Sequence, residues 1–316
     1  MWYYNSIILV KIWKLFWVLI EKGINMELNE RLDNNEIDSL SKAELIKVVQ
    51  DLQRKSDLQE DFLLNISHDL RSPINVILSI LQCLRCEEKS SETKIDDLKH
   101  KEYRDIMRRN SLKIVKLIDN LIDVSKLEKN YYTLNKYNVE MINLLESIVA
   151  SIEKYAEQKN ITVIFDTNVE ECMCAVDPEA IDRIMMNLLS NAIKFSEVNK
   201  DILVNVTVYE ETIEISVKDS GMGIKKEDQK LIFNRFIQTK SGECSEYKGS
   251  GIGLDLVSYL CRAHGGDIKL ISNYGEGSNF IVTLPKTLVD VEDNECMLKK
   301  RSRIEQLEIE FSDIYL

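Results

Sequence analysis

The chain has 316 residues, enough for two ordinary domains with extensions, and its 44% apolar and 30% charged residues are typical of a globular protein. The formal net charge of −12 argues against a nucleic-acid-binding protein, which needs a basic surface. Only 3 prolines and 11 glycines occur, so long helices are allowed and any glycine cluster is informative. The seven cysteines, including the CxxC pair Cys83 and Cys86, follow no disulfide or zinc pattern, and reduced thiols are expected.

Residues 1–25 form a hydrophobic, amphipathic N-terminal segment. Residues 1–20 are rich in aromatic and aliphatic side chains, but Lys11 and Lys14 interrupt them, whereas a spanning helix needs about 20 apolar residues with few charges. On a helical wheel the charges gather on one side, which favours a helix lying on the membrane surface. Two alternatives stay open: a spanning helix, and a misassigned extension if translation starts at Met26. The catalytic region is expected to be cytoplasmic, and the whole protein would be so if Met26 is the start.

Two long amphipathic helices follow a linker and an entering helix at residues 26–54. Apolar residues recur every three to four positions from Leu45 to Leu81 and again from Tyr103 to Leu127, with a polar break between the two runs. Two such helices joined by a short link predict an antiparallel helical hairpin over residues 55–130. A hairpin this apolar needs a partner, so we expect a homodimer with a four-helix bundle built from two chains.

From about Val139 the pattern changes to helices and short strands. Helices are predicted at 141–158, 179–195 and 252–263, and strands at 161–166, 202–208, 213–217, 268–272 and 279–284. The polar residues at 210–212 separate two alternating runs and indicate an antiparallel β-hairpin. The expected fold of residues 139–285 is therefore an α/β sandwich, and the whole chain belongs to the α+β class. Residues 286–316 are interpreted as a C-terminal extension that is either flexible or docks a partner, with flexibility favoured.

Glycines concentrate in two clusters, DSGMGI at 219–224 and GSGIGL at 249–254. Neither has the spacing of a P-loop or the context of a dinucleotide-binding fold. The second cluster opens a predicted helix, whose backbone amides and dipole can hold phosphate oxygens. The first begins with Asp219, a carboxylate placed to accept a hydrogen bond from an exocyclic amine. Taken alone, either cluster is explained equally well as a tight turn.

A polar stripe on the helix predicted at 179–195 makes the nucleotide-site reading the better one. Asn187, Asn191 and Lys194 lie on one face at i, i+4 and i+7, and the apolar residues between them face a core. Side-chain amide oxygens suit Mg²⁺, and a lysine ammonium can meet phosphate charge. Such a stripe is usually solvated surface, but together with two glycine clusters it predicts a nucleotide site.

In their order and spacing these motifs resemble those of the sensor histidine kinases of two-component systems, within the ATPase family shared with gyrase, Hsp90 and MutL. The stretch 185–196, which contains MNLLSNAIKFS, resembles the N box of that family. Residues 219–224 resemble the first glycine box, IFNRF at 232–236 the F box, and residues 249–254 the second glycine box. The resemblance covers roughly residues 55–285 and implies that residues 139–285 form the catalytic ATP-binding domain.

The resemblance also implies roles for individual residues. Asn187 would ligate Mg²⁺, Asp219 would read adenine, and Asn191 and Lys194 would lie near the phosphates. Residues 238–250 would form a mobile lid over the nucleotide. The full nucleotide-binding set implied is Asn187, Asn191, Lys194, Asp219, Gly221, Gly223, Ile224, Phe233, Phe236, Gly249, Gly251, Gly253 and Leu254.

The segment FLLNISHDLRSP at 62–73 resembles the H box of the dimerisation and phosphotransfer hairpin of the same family. This resemblance implies that His68 is the phosphoacceptor, a nucleophile that is neutral near pH 7. A carboxylate on one ring nitrogen fixes the tautomer so that the other nitrogen can attack, and Asp69 is expected as this general base or orienting group. Ser72 lies four residues past the histidine, where the family often positions water to dephosphorylate the partner. Asp69 and Ser72 replace the more frequent Glu and Thr.

The sequence therefore predicts a sensor histidine kinase that phosphorylates His68 from Mg-ATP and passes the phosphoryl group to an aspartate of a separate response regulator. No aspartate-rich receiver pattern follows the kinase motifs, so the acceptor is expected on another protein. The alternative is a non-catalytic dimeric scaffold that binds nucleotide, which the intact H box and glycine boxes disfavour. A serine kinase of the anti-sigma type lacks the His68 hairpin. A gyrase-like ATPase would carry a catalytic glutamate where this helix has Asn187.

Overall fold

The computed structural model describes residues 41–89, 97–128, 133–234, 251–290 and 303–313. The predicted N-terminal segment 1–25, Phe236, Gly249 and the predicted lid lie outside these described residues. The chain divides into two compact units between Asp61 and Phe62. The first unit is described only from residue 41 to residue 61, and the second contains the H box and the ATP-binding motifs. Within the described ranges, no helix is both long enough and apolar enough to cross a membrane.

Two long helices form the predicted hairpin, α1 (Lys42–Lys89) and α2 (Asp97–Glu128). In α1 the side chains of Ile66 and Ile80 are buried. Other apolar side chains on the two helices stay between 37% and 46% exposed: Val76, Leu78, Leu81, Ile118 and Ile122. Exposed apolar surface on both helices is the kind of surface that a bundle with a second hairpin would bury.

The predicted α/β sandwich is confirmed. Its elements in chain order are β1 (Tyr137–Glu140), α3 (Met141–Glu157), β2 (Thr162–Thr167), β3 (Met173–Val176), α4 (Pro178–Phe195), β4 (Asp201–Val208), β5 (Thr212–Lys218), α5 (Gly253–Ala263), β6 (Asp267–Asn273) and β7 (Gly277–Pro285). Within the described residues, five strands form one sheet in the order β2-β4-β5-β7-β6, and β1 pairs with β3 in a small second sheet. The apolar sides of α3, α4 and α5 and of the larger sheet share one core.

The register of the larger sheet follows from its alternating pattern. β4 and β5 pair antiparallel as predicted, with Val208 opposite Ile213, and β5 pairs antiparallel with β7, with Ile215 opposite Val282. In contrast, β2 pairs parallel with β4, because β3 and α4 form a crossover between them. The sheet is therefore mixed, whereas the sequence indicated only its antiparallel hairpin of β4 and β5.

The start of α4 is fixed by two residues that precede the polar stripe, Asp177 and Pro178. The Asp177 side chain caps the helix by accepting hydrogen bonds from the amides of Glu179 and Ala180, and Pro178 occupies the first turn, where no amide donor is needed. The Asp177 amide in turn donates to Nε2 of the buried His264 at 3.1 Å. The helix that carries the N box is thus anchored to the end of α5.

The C-terminal segment, defined here as residues 303–313, consists of α6 (Arg303–Glu310) and a 3₁₀ turn (Phe311–Asp313). Leu307 is 5% exposed and Phe311 1% exposed, and both belong to the core of the sandwich. The Phe311 ring stacks on Tyr155 of α3 with 4.6 Å between ring centroids. The favoured interpretation of the extension as flexible is therefore wrong for this segment, because its apolar side chains bury against the domain instead of facing water.

Candidate nucleotide and phosphoacceptor site

The middle of α4 meets the second glycine box. The side-chain amide of Asn187 donates from Nδ2 to the Arg183 carbonyl at 2.9 Å, which directs Oδ1 away from its own helix. This Oδ1 lies against Gly253 so closely that a Cβ atom at position 253 would collide with it. A larger residue at position 253 would displace the Asn187 amide, and the contact brings the N box and the second glycine box together.

The end of α4 meets the first glycine box. Ser196 and Gly221 form an isolated β-bridge, and a Cβ atom on Gly221 would collide with the Phe195 carbonyl. Gly223 has a φ of +66°, in the left-handed region that favours glycine, and a Cβ there would meet the Asn273 carbonyl. The three motifs that the sequence placed far apart thus converge on one helix.

Asp219 is buried at the start of the first glycine box, with 6% of its surface exposed. Its Oδ1 accepts hydrogen bonds from the Gly221 amide at 2.8 Å and from the Ser278 amide at 3.2 Å. No group among the described residues donates to Oδ2, which leaves that oxygen available to accept a hydrogen bond from a ligand amine. Burial raises the pKa of the carboxyl above its ordinary value, and the two backbone hydrogen bonds oppose this shift.

Polar groups of β6 hold the loop that follows Asp219. The Ile224 amide donates to Ser272 Oγ at 2.8 Å, and Gln229 Nε2 donates to the carbonyls of Ile224 and Ser272 at 2.9 and 2.8 Å. Ser272 and Gln229 were not predicted from the sequence, because Ser272 lies more than 40 positions from both Ile224 and Gln229. They fix the backbone around which the first glycine box turns.

The other predicted nucleotide-binding residues that are described lie on α4, at the start of α5 and in the segment after β5. Phe233 packs edge-on against Phe280 of β7, with 6.4 Å between ring centroids, and Leu254 and Ile224 are half-buried against the core. Asn191 and Lys194 are half-buried on α4, and the Lys194 Nζ lies 5.6 Å from the centre of the Phe195 ring. Gly251, with a φ of +70°, precedes α5.

The side chains around Asn187 fit a Mg²⁺ ion that is held mainly by the phosphates of its substrate. Within the described ranges, no group of three His, Cys, Asp or Glu side chains could hold a metal ion. Mg²⁺ in phosphoryl-transfer sites commonly uses one or two protein oxygens and completes its shell with phosphates and water. The Oδ1 of Asn187, aimed at the glycine box, provides such an oxygen.

His68 lies on α1 with 81% of its side chain exposed, and the side chain of Asp69 is 46% exposed. The distance between His68 Nδ1 and Asp69 Oδ1 is 3.5 Å, a polar contact that is too long for a strong hydrogen bond. Nε2 is the ring nitrogen on the far side from this carboxylate. Ser72, one turn further along α1, is exposed.

The second glycine box also contacts the hairpin, which the sequence did not predict. Ile252, 1% exposed, forms a small apolar cluster with Ile66 and Leu70 of α1 and Leu121 of α2. The ATP-binding domain is therefore docked on the hairpin in the region of the H box.

An ion pair adds to this contact between the domain and the hairpin. Arg183 Nη2 of α4 donates to Asp123 Oδ2 of α2 at 2.6 Å, and the Asp123 side chain is 4% exposed. Both partners looked like ordinary helix-surface charges in the sequence. Only the position of α4 against α2 reveals their pairing.

Comparison with known families matches both halves of the second unit. The family described as "Histidine kinase-, DNA gyrase B-, and HSP90-like ATPase" matches residues 176–288. The family described as "His Kinase A (phospho-acceptor) domain" matches residues 58–130.

Individual proteins agree with this result. Hybrid signal transduction histidine kinase B of Dictyostelium discoideum is 32% identical over 231 residues, which cover 71% of this chain and 11% of that protein. Sensor histidine kinase WalK of Bacillus subtilis is 29% identical over 246 residues, 76% of this chain and 39% of that protein. The chain spans less than half the length of either relative.

A solved structure shows the same fold. The histidine kinase ThkA, crystallised in complex with the response regulator TrrA, superposes with a TM-score of 0.54 at 21% identity, covering 79% of this chain and 68% of that one. With a phosphoacceptor-type hairpin and an ATPase domain of the gyrase and HSP90 type in one chain, the protein belongs to the sensor histidine kinases of two-component systems.

Proposed function

We propose that this chain is an ATP-dependent protein-histidine kinase that phosphorylates His68 and passes the phosphoryl group to an aspartate of a separate response regulator. The observation that carries the proposal is the convergence of Asn187, Gly253 and Asp219 in one domain that is itself docked on the hairpin carrying the exposed His68. A nucleotide-binding scaffold would need neither an exposed histidine nor a carboxylate beside its Nδ1.

The chain's own residues can be assigned to the steps of this reaction. Asp219 Oδ2 accepts a hydrogen bond from the exocyclic amine of adenine, and the amides at the start of α5 hold phosphate oxygens. Asn187 Oδ1 would hold Mg²⁺ together with the phosphates, and the bound ion would supply charge neutralisation for phosphoryl transfer. Nε2 of His68 forms a bond to the γ-phosphorus while the bond from that phosphorus to the bridging oxygen breaks, and ADP leaves. Asp69 holds the proton on Nδ1 and stabilises the positive charge that develops on the ring.

The test is incubation of the full chain with γ-labelled ATP and Mg²⁺, followed by treatment of the labelled protein with acid and alkali. We expect label that is labile in acid and stable in alkali, present in the unaltered chain and absent from His68→Ala and Asn187→Ala. His100→Ala is the matched control, since it removes a second hairpin histidine and should leave labelling intact. Nucleotide binding without label would favour the scaffold, and label that persists in His68→Ala would mean that another residue is the acceptor.

Transfer to a response regulator is supported by membership of the family, whose phosphoryl groups pass to receiver aspartates. Ser72 is the side chain that would position water for the reverse, dephosphorylating activity, because it is exposed one turn past His68. With a purified receiver domain carrying labelled phosphoaspartate, Ser72→Ala should slow release of phosphate and leave labelling of His68 unchanged. An exposed serine of the same helix, Ser79, gives the control variant Ser79→Ala. Equal release by all three proteins would remove Ser72 from this function.

Homodimerisation through the hairpin is supported by the apolar side chains that α1 and α2 leave exposed, such as Leu81 and Ile122. Multi-angle light scattering on the full chain should give twice the monomer mass of 36.6 kDa. Replacing Leu81 and Ile122 by glutamate should shift the protein toward monomer, because unpaired charges would then be buried in the bundle. A monomer mass for the unaltered chain would contradict the proposal.

The N-terminal segment extends the proposal to the membrane surface. The support is the sequence of residues 1–20, which on a helical wheel would separate Lys11 and Lys14 from a face of aromatic and aliphatic side chains. The full chain should co-sediment with vesicles that contain anionic lipid, and a chain starting at Met26 should not. Equal sedimentation of the two proteins would argue against a membrane-binding function of this segment.

A further inference from the structure

The C-terminal segment connects the hairpin to the ATP-binding domain. It packs against α2 on one side and against α4 on the other, and it buries Phe311 on Tyr155 of α3. Arg108 of α2 pairs with Glu308 at 2.6 Å. Because Leu307 and Phe311 belong to the core of the ATP-binding domain, each ion pair to α2 fastens this domain to the hairpin.

Glu310 is the centre of these contacts. Its carbonyl accepts a hydrogen bond from Lys116 Nζ of α2 at 2.6 Å, and its side chain lies 3.5 Å from the same ammonium. The carboxylate of Glu310 also accepts a hydrogen bond from Ser190 Oγ of α4 at 2.9 Å. Glu310 thus links the second hairpin helix to the helix of the N box, where its partner Ser190 lies three positions after Asn187.

The docked position that the segment reinforces is the wrong one for attack by His68 of the same chain. Ile252 packs against Ile66 and Leu70, which lie one turn apart on one face of α1. His68 is two residues from each of them, and at about 100° per residue it points to roughly the opposite face of the helix. Its side chain is 81% exposed. The ATP-binding domain must therefore leave this position before its nucleotide can reach His68 of its own chain.

We propose that the C-terminal segment is an intramolecular strap that holds the ATP-binding domain on the hairpin face opposite His68 and so slows phosphorylation of His68 of the same chain. This inference rests on the proposed kinase function. The physical reason is that relocation of the domain must break the contacts of Glu308 and Glu310 with α2 in addition to the Ile252 cluster and the Arg183–Asp123 pair.

The first experiment compares the initial rate of His68 labelling in the full chain and in a chain that ends at residue 302. Loss of the strap should raise the rate by a few-fold or more. A second variant, Arg108→Glu, leaves the segment on its own domain and turns one attraction into a repulsion. It should raise the rate by roughly two- to fivefold, in keeping with the modest strength of partly exposed ion pairs. Combining it with Glu308→Arg should restore the original rate, which a merely structural change would not do.

Gln306→Ala is the matched control, since it alters an exposed side chain of the same helix and should leave the rate unchanged. ATP affinity is measured for each variant. If truncation weakens ATP binding, the proposal is judged on Arg108→Glu and on its combination with Glu308→Arg alone. An unchanged or lower labelling rate in Arg108→Glu, or a rate that does not recover in the double variant, would overturn the proposed strap. Labelling of the unaltered chain would still support the proposed kinase function. If neither the full nor the shortened chain is labelled, the proposed function fails and the strap falls with it.

Discussion

Replacing Asp219 by asparagine should separate ligand recognition from folding in the ATP-binding domain. The asparagine carbonyl can still accept the hydrogen bonds that Oδ1 receives from Gly221 and Ser278. Its NH₂ group then occupies the place of Oδ2 and presents a donor to the exocyclic amine of adenine, which is itself a donor. The variant therefore removes the hydrogen bond to the ligand and keeps those to the backbone.

The expected loss of affinity follows from the strength of that bond. A hydrogen bond to a charged group contributes about 1.5–3 kcal/mol, so the dissociation constant for ATP should rise roughly 10- to 150-fold. Because the asparagine NH₂ group and the adenine amine are both donors and face each other, the rise in the dissociation constant should lie toward the upper end of this range. Isothermal titration of the full chain with a non-hydrolysable ATP analogue measures this change directly.

Stability should respond in the opposite sense. Burial raises the pKa of Asp219, so the carboxyl contributes stability in its protonated form, and this contribution is lost as pH rises through the folded-state pKa. Above the folded-state pKa the ionised group carries a desolvation cost that asparagine lacks, so the melting temperature of the variant there should be equal to or above that of the unaltered protein. Asp201→Asn, at an exposed position on β4, is the control and should change neither quantity. Unchanged ATP affinity would refute adenine recognition by Asp219, and a strong fall in melting temperature would show that its carboxylate is needed for the fold.

Three further predictions concern contacts around the site. Arg183→Ala leaves the buried carboxylate of Asp123 without its guanidinium partner and should lower the free energy of unfolding by about 1–3 kcal/mol, measured by urea denaturation against an exposed-residue control such as Arg262→Ala. Burial raises the pKa of the Cys261 thiol to about 12, so mass spectrometry after brief alkylation at pH 8 should find it unmodified while the exposed CxxC pair of α1 is labelled. Burial lowers the pKa of His264, so the stability that its neutral ring contributes is present above the unfolded-state pKa and lost as pH falls through the folded-state one. The melting temperature should therefore drop on acidification below about pH 6.5, less so in His264→Gln, and an equal drop in both proteins would contradict this assignment.

The sandwich and its motifs could be predicted because their signals are local. Alternation along β5 and β7 decides which side chains face inward, and glycine at 221 and 223 reflects backbone constraints that the sequence pattern expresses directly. The short pair β1–β3 was missed, since four-residue strands carry little pattern and their pairing joins positions about 35 apart, such as Val139 and Cys174. The parallel pairing of β2 was missed for the same reason, because strand direction depends on the crossover and not on either strand.

Contacts between the domain and the hairpin could not be predicted, since each depends on surfaces that meet only in the folded chain. Asp123 and Arg183 lie 60 residues apart on separate amphipathic helices, where a charge normally faces water. The C-terminal segment gave a weak apolar pattern that is compatible with solvent exposure. Its burial depends on contact with Tyr155 of α3, which is distant in the sequence and cannot be inferred from a local pattern.

The second glycine box has two neighbours, and this arrangement connects nucleotide binding to the docking of the domain. Gly253 lies against the Asn187 amide on the nucleotide side, and Ile252, the preceding residue, is buried in the cluster with Ile66 of α1. Only one peptide bond separates these two contacts, so phosphates bound as proposed at Gly251 and Gly253 would act on the same stretch of backbone that positions Ile252. A ligand shifts such an equilibrium only as far as it binds the docked and released states differently. The backbone proposed to bind phosphate, at Gly251 and Gly253, and the docking side chain of Ile252 belong to the same turn. A difference in ATP affinity between the docked and released states can therefore arise within this turn, without a longer pathway through the domain.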